Sequence, residues 1–394
     1  MTRLTLEQLD KIKKKYGVER LYSWSRVHCY QTSPFEYLLK YIKHEKEDRA
    51  DCIYTYAGGL AHDLIEKFYD GRIKYDDMLG EFEDGWMMGR DISQLKFDRN
   101  DEEHDKKLAD KYYENLQHFF KNHVPLKHKA HLEKFITIKI GDSVLNGYID
   151  CCFKDDDDCW NIVDWKTSSI YKGKKAEGES GQLVLYAIGM NQRGVPLDKI
   201  KICWDFLKYC DVQYEQANGA TKHRQVERCK LGESLQTNAK MWLKKLGYED
   251  EVDDYLKALL DANDICVLPE DVQEKYVISD CFIYVPLTQG LVERWINEVI
   301  DTIKEIEERE REYKKTGDIN LFWDSDENLK EQSYYFATLM AYSPSKHLPY
   351  KKYLETLDAQ KSGADFFSGV GLNAKPTSVA SSSDDDLSWL DALM

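Results

Sequence analysis

The chain has 394 residues, enough for one large domain with an insertion or for two domains. Its formal charge of −16 excludes nucleic-acid binding through the overall field, because phosphate contacts reward basic surface, but a local basic groove remains compatible with it. No apolar run nears the roughly 20 residues that cross a bilayer, and Met1-Thr2-Arg3-Leu4 followed by lysines is unlike a secretory signal, so a soluble cytoplasmic protein without a membrane partner is expected.

In chain order, residues 6–16 form the first expected helix, a thin apolar stripe among lysines. Ser23-Trp24-Ser25-Arg26 follows, then Ser33-Pro34-Phe35-Glu36, a capping box with proline at the first helical position, which starts a helix running to about residue 43. Residues 57–69 carry one apolar stripe, Leu60, Ala61, Leu64, Ile65 and Phe68, with His62 beside it. A single helical histidine is ordinarily structural, so His62 by itself carries no chemistry. Residues 74–132 read as helical and connective, and the lysines and histidines of 121–134 suit either a solvated surface or phosphate contact.

The period then changes to two. Residues 135–140 and 144–153 predict a hairpin turning at Gly141-Asp142, and 160–165 a third strand after the aspartates at 155–158. A polar loop over 168–181 leads to a helix over 182–189 and a fourth strand over 200–208. Residues 214–274 read as a helical insertion, with helices over 232–246 and 253–262; Lys222, Arg224 and Arg228 there gate a strand or bind a partner. A β-rich run over 276–287, a charged helix over 291–315 and an aromatic-rich segment over 322–353 close the body.

Residues 362–386 have the glycine, serine and aspartate content of a disordered segment. They lead to Leu387, Trp389, Leu390, Leu393 and Met394, which have the form of a docking peptide or of an end packed on its own domain. The expected divisions are a mainly helical part over 1–130, a core over 131–213, the insertion over 214–275, a closing part over 276–355 and a flexible acidic tail over 356–394. The ten cysteines form no CxxC pair, and several fall in strand-like apolar runs, where a reduced thiol acts as a small hydrophobe.

One constellation carries chemistry. Hydrolysis of a phosphodiester needs a divalent cation held by oxygen ligands and a group that holds the scissile phosphate. Asp150 lies late in one strand and Asp164 near the end of the next, and adjacent strands are about 4.8 Å apart. Lys166, two residues from Asp164, shares its face. Gln182 and Tyr186, at i and i+4, lie one above the other on the following helix. Each piece recurs by chance in many proteins; their order makes the set specific.

In that order they resemble the PD-(D/E)xK nuclease superfamily, and within it the RecB-like branch that includes CRISPR-associated exonucleases and many phage exonucleases. Gly59-Leu60-Ala61-His62 resembles its helical histidine motif, Gly147-Tyr148-Ile149-Asp150 its G-x-x-D, Asp164-Trp165-Lys166-Thr167 its D-x-K-T, and Gln182 with Tyr186 its Q-x-x-x-Y. The resemblance spans roughly residues 21–208, with a weaker continuation over 276–315. It implies an α/β fold with a central mixed sheet flanked by helices. It also implies Mg2+ or Mn2+ held by His62, Asp150, Asp164 and the Trp165 main-chain carbonyl, with Lys166 as the catalytic lysine and Gln182 and Tyr186 completing the site. Glu133 is an outer candidate.

Many relatives hold an iron-sulfur cluster through one cysteine before the core and three after it. Here Thr32-Ser33 stands at the first position and no cysteine follows Cys281, so no cluster is expected and aromatic packing over 334–353 closes the fold instead. The expected function is a metal-dependent DNA exonuclease of phage replication, recombination or DNA degradation. The alternatives are an endonuclease of the same fold, or an interaction protein recruited through its tail to a replication partner such as a sliding clamp.

Overall fold

A computed structural model describes residues 4–49 and 52–369. The expected docking residues Leu387, Trp389, Leu390, Leu393 and Met394 lie outside the described residues.

The sheet begins as a hairpin. β1 (His131–Ile140) and β2 (Ser143–Lys154) pair antiparallel around Gly141, whose φ of +57° is the left-handed conformation that glycine adopts without strain. β3 (Trp160–Lys166) returns antiparallel on β2 after a turn in which Asp155 Oδ1 accepts from the backbone N–H groups of Asp157 and Cys159. The chain then crosses through α7 (Lys174–Glu179) and α8 (Gly181–Asn191) to β4 (Ile200–Glu215), parallel to β3. β5 (Thr221–Glu227) folds back on β4, continuing the edge that β3 occupies, and β6 (Tyr276–Val285) covers the other edge, with its register broken between Asp205 and Cys210. The result is a mixed six-stranded sheet flanked by helices.

Several expectations change, among them the tail boundary: residues 356–369, expected to be flexible, belong to α14 (Leu348–Gly369). Thr221–Glu227 is a strand inside the stretch read as helical; in it only Val226 is buried, so its apolar period was invisible. β4 runs on to Glu215, and the loop before α8 contains α7. Glu133 lies within β1, not ahead of it.

Helices cover both faces because each face is apolar. On one lie α8, α12 (Gln289–Thr316) and the entering helices α2 (Trp24–Thr32) and α3 (Pro34–Tyr37), around Ile136, Ile162, Leu183, Trp204 and Trp295. α8 is buried on nearly every side between sheet and α12, so it lacks the polar stripe of a surface helix. On the other face α4 (Ile53–Tyr69), α5 (Met78–Met87) and α6 (Glu102–Asn122) pack Leu64, Phe82, Leu116 and Phe119 on Cys151, Val163 and Cys203.

α9 (Leu231–Lys245), α10 (Val252–Ala262) and α11 (Glu270–Gln273) form a separate core with the distal ends of β4, β5 and β6. α13 (Asp326–Glu331) and α14 (Leu348–Gly369) enclose Phe336 and Met340, with Phe336 stacked on Tyr350 at 5.5 Å. The return to the amino-terminal helices is polar: Ser33 Oγ donates to Asp324 Oδ2 at 2.9 Å and lies 3.1 Å from His347 Nε2, all buried. No helix among the described residues is long and apolar enough to cross a membrane.

Candidate active site

The carboxylates meet where the strands part. The last paired residues of β2 and β3 are Cys151 and Val163, and Asp150 and Asp164 are the next along each strand, facing one another beyond the ladder. On the other side of β2, the pairs Leu132 with Cys151 and Lys134 with Ile149 flank Glu133 and Asp150, which do not pair. Glu133 there has a φ of +48°, a conformation that costs a non-glycine residue roughly 1–2 kcal/mol. Glu133, Asp150 and Asp164 thus form a row of carboxylates across three neighbouring strands.

Electrostatics follow from that row. Burial first, then the adjacent Asp164 and, more weakly, Glu133, push the Asp150 carboxyl well above the ordinary carboxylate range. Lys166 Nζ stands 2.8 Å from Asp164 Oδ2. Burial disfavours this ammonium, but Asp164, and Asp150 behind it, raise its pKa and keep it charged. The ion pair lacks hydrogen-bond alignment, so Asp164 Oδ2, like Asp150 Oδ2, is a buried oxygen with no hydrogen-bond partner.

α4 carries His62 to the same place. Its Nε2 lies 2.8 Å from the Trp165 carbonyl oxygen and its Nδ1 3.7 Å from Asp150 Oδ2. Enclosure by protein lowers the imidazole pKa, with Asp164 acting in the opposite sense. From α8, Gln182 Nε2 donates to the Tyr186 hydroxyl at 3.2 Å, and Tyr186 is itself within electrostatic reach of Asp150, Asp164 and Lys166. Gly147 makes room for that ring: a Cβ there would sit 2.8 Å from Tyr186 Cε1. The glycine and the tyrosine, in motifs 39 residues apart by their numbering, are therefore one packing unit.

A family model of the PD-(D/E)XK nuclease superfamily matches residues 22–316. The chain belongs to that superfamily. Comparison with curated proteins found no match. PD-(D/E)XK nucleases generally use divalent metals such as Mg2+, and membership implies a DNA substrate.

The donors fit such an ion. Two buried carboxylate oxygens without hydrogen bonds, a carbonyl and an imidazole suit a hard divalent cation, and the raised pKa of Asp150 reflects burial and then neighbouring negative charge, both of which a cation offsets. The side chains instead pair among themselves, Lys166 on Asp164 and His62 on the Trp165 carbonyl. Among the described residues no group of three or more His, Cys, Asp or Glu is gathered as a metal-ligand cluster.

The metal-binding and catalytic residues named from the sequence, and Glu133, lie in this neighbourhood; the docking residues lie outside the described residues. Missed was His28 of α2, which Lys166 and Glu179 both influence. It stacks on Trp24 at 5.3 Å, and their i, i+4 spacing was the available signal. It reaches solvent through a cleft yet is crowded by protein atoms, and this burial lowers its pKa.

Proposed function

We propose that this nuclease is a Mg2+- or Mn2+-dependent DNA exonuclease of the RecB-like kind. The observation that carries the reading is the adjacent pair Asp150 and Asp164, each with a buried oxygen that lacks a hydrogen bond, beside the Lys166 ammonium. Asp150, Asp164, His62 and the Trp165 carbonyl would hold the cation. When bound, it neutralises charge developing on the phosphate and lowers the pKa of a water molecule.

The chain's own groups do the rest. Lys166, kept protonated by Asp164, binds a phosphate oxygen. Tyr186, its ring seated over Gly147 and its hydroxyl held by Gln182, sets one wall of the site. Glu133 adds a third carboxylate to the row and tunes Asp150. Residues Leu387, Trp389, Leu390, Leu393 and Met394 dock a replication partner such as a sliding clamp; their deletion then abolishes partner binding and leaves cleavage intact.

The deciding experiment is digestion of end-labelled linear DNA and covalently closed circular DNA with Mg2+, Mn2+ or EDTA. The linear substrate should be degraded with either metal, the circle should survive, and EDTA or Asp164→Asn should stop cleavage. Cutting of the circle makes the protein an endonuclease. Inactivity with both metals, or full activity of Asp164→Asn, removes the assignment.

A further inference from the structure

Immediately beyond Lys166 the chain opens into a cleft of about 490 Å³, in the size range of small-molecule sites. Thr167 and Ser168, the two residues after the lysine, line it, as does His28, which lies within electrostatic reach of Lys166. Its walls hold five tyrosines: Tyr41, Tyr54, Tyr112, Tyr171 and Tyr335. They come from the amino-terminal helices, α6, the loop after β3 and the segment before α14, so only the complete fold assembles them.

All five hydroxyls are engaged by the protein. Tyr112 donates to the Thr167 carbonyl at 2.7 Å, Ser168 donates to Tyr171 at 3.3 Å, and Tyr334 donates to Tyr54 at 2.7 Å. Tyr335 donates to Glu36, and Tyr41 is hydrogen-bonded with Ser25. Tyr112 and Tyr171 are buried against the protein, so what remains for a ligand is ring surface of the half-buried Tyr41, Tyr54 and Tyr335. Two carboxylates, Glu36 and Glu179, also line the cleft, and its lysine, Lys40, is paired with Glu47. These two carboxylates disfavour a phosphate inside it and suit the exocyclic amines of a nucleobase. Aromatic rings with a few polar acceptors are what an unpaired base stacks on, and a base-paired duplex does not enter a cavity of this size.

We propose that this cleft receives the unpaired terminal base of a DNA strand, so that the adjoining phosphodiester lies at Lys166. The proposal rests on the nuclease reading for the bond it presents, and it supplies a physical reason for action from strand ends: an internal nucleotide carries chain on both sides and cannot be inserted endwise.

The test separates binding from cleavage. Single-stranded oligonucleotides carrying 2-aminopurine at the 5′ end, the 3′ end or the centre are titrated with the full-length protein in EDTA. Quenching is expected at one end and not at the centre, and that end gives the polarity. Tyr41→Leu keeps the bulk of the wall without the ring and should weaken end binding by about 5- to 150-fold, the range of one base–aromatic stack, whereas Tyr41→Phe should not. Gln332 is exposed at the rim, so Gln332→Trp should fold normally and obstruct the mouth with the same effect. Equal emission at all three positions, or end quenching unchanged in both Tyr41→Leu and Gln332→Trp, overturns the proposal. End quenching without cleavage in Mg2+ or Mn2+ would fail the nuclease reading alone; cleavage without end quenching would fail the cleft alone.

Discussion

Two pairs of carboxylates share this sheet, Asp150 with Asp164 and Asp205 with Asp280, and their surroundings treat them oppositely. Asp280 accepts from Arg228 on one oxygen, and from His123 Nδ1 at 2.7 Å and the Val124 N–H at 3.1 Å on the other. Arg228 also donates to the Leu207 carbonyl, and Tyr69 meets His123 Nε2 at 3.1 Å. Burial pushes Asp280 up, but His123 and Arg228 outweigh it and hold its carboxyl below the ordinary range; Asp205 beside it is pushed well above by burial and by Asp280. One carboxylate is thus kept charged and compensated while its neighbour is kept neutral. At Asp150 and Asp164, among the described residues, the ammonium in contact is Lys166 on Asp164, and one buried oxygen of each carboxylate lacks a hydrogen bond.

The first arrangement joins β4, β6, α4 and the root of the inserted helices through Asp280, whose satisfied charge specifies structure, while Asp205 Oδ1, which lacks a hydrogen bond, belongs to the carboxyl kept neutral. The second leaves electrostatic work undone, which is the mark of a site that binds something else. The difference lies in the partners supplied more than in burial, since Asp164, Asp205 and Asp280 are buried and Asp150 is half-buried.

Substitutions can break this comparison. Asp150→Asn should lower DNA cleavage on the order of a thousandfold or more, measured as initial rate on linear DNA, because it removes a proposed cation ligand. Arg228→Met should leave Asp280 with His123 and the Val124 N–H, without its guanidinium, and cost about 3–5 kcal/mol of stability in urea denaturation. Gly147→Ala drives a Cβ into the Tyr186 ring and should cost about 1–3 kcal/mol, with a fall in cleavage that Asp280-directed variants do not share per unit of lost stability.

The same Asp150→Asn change should stabilise the metal-free protein by about 0.5–2 kcal/mol, since it removes like charge while keeping shape. A metal-free variant less stable than wild type at neutral pH would show that the row is not strained.

The smallest effects are in pH dependence, and they have opposite signs. Asp280 has a lowered folded pKa, so its stabilisation is present above the ordinary value of 3.8 and is lost as pH falls through its folded pKa. The gap between wild type and Asp280→Asn should therefore close in acid. Asp150 has a raised folded pKa, so the folded state holds its proton more tightly; wild type suffers no penalty below 3.8 and loses stability as pH rises from there. The advantage of metal-free Asp150→Asn should be absent in acid and open upward. Urea midpoints across the acid range, in EDTA, test both.

Legibility varied from element to element for physical reasons. The hairpin and α4 announced themselves through their own periods, and β3, buried on both faces, through a short apolar run bounded by polar turns. β5 did not, because it is an edge of charged residues with Val226 alone buried. α8 was legible through Gln182 and Tyr186, yet its burial on nearly all sides gave no stripe from which to orient it. His28 was passed over because its neighbours, Glu179 and Lys166, come from other parts of the chain.

By itself, the sequence determined the local geometry of the motifs: Asp164 and Lys166 on one face of a strand, Asp150 near the end of the strand beside it, Gln182 and Tyr186 on successive turns. Those relations follow from strand and helix periods, which act over a few residues. Only the tertiary structure decided that Glu133 stands in line with Asp150, that Gly147 seats Tyr186, and that five tyrosines from four parts of the chain line one cleft past Lys166. Such relations depend on the register between strands and on which helix covers which face, and these are fixed when distant apolar surfaces are buried against one another.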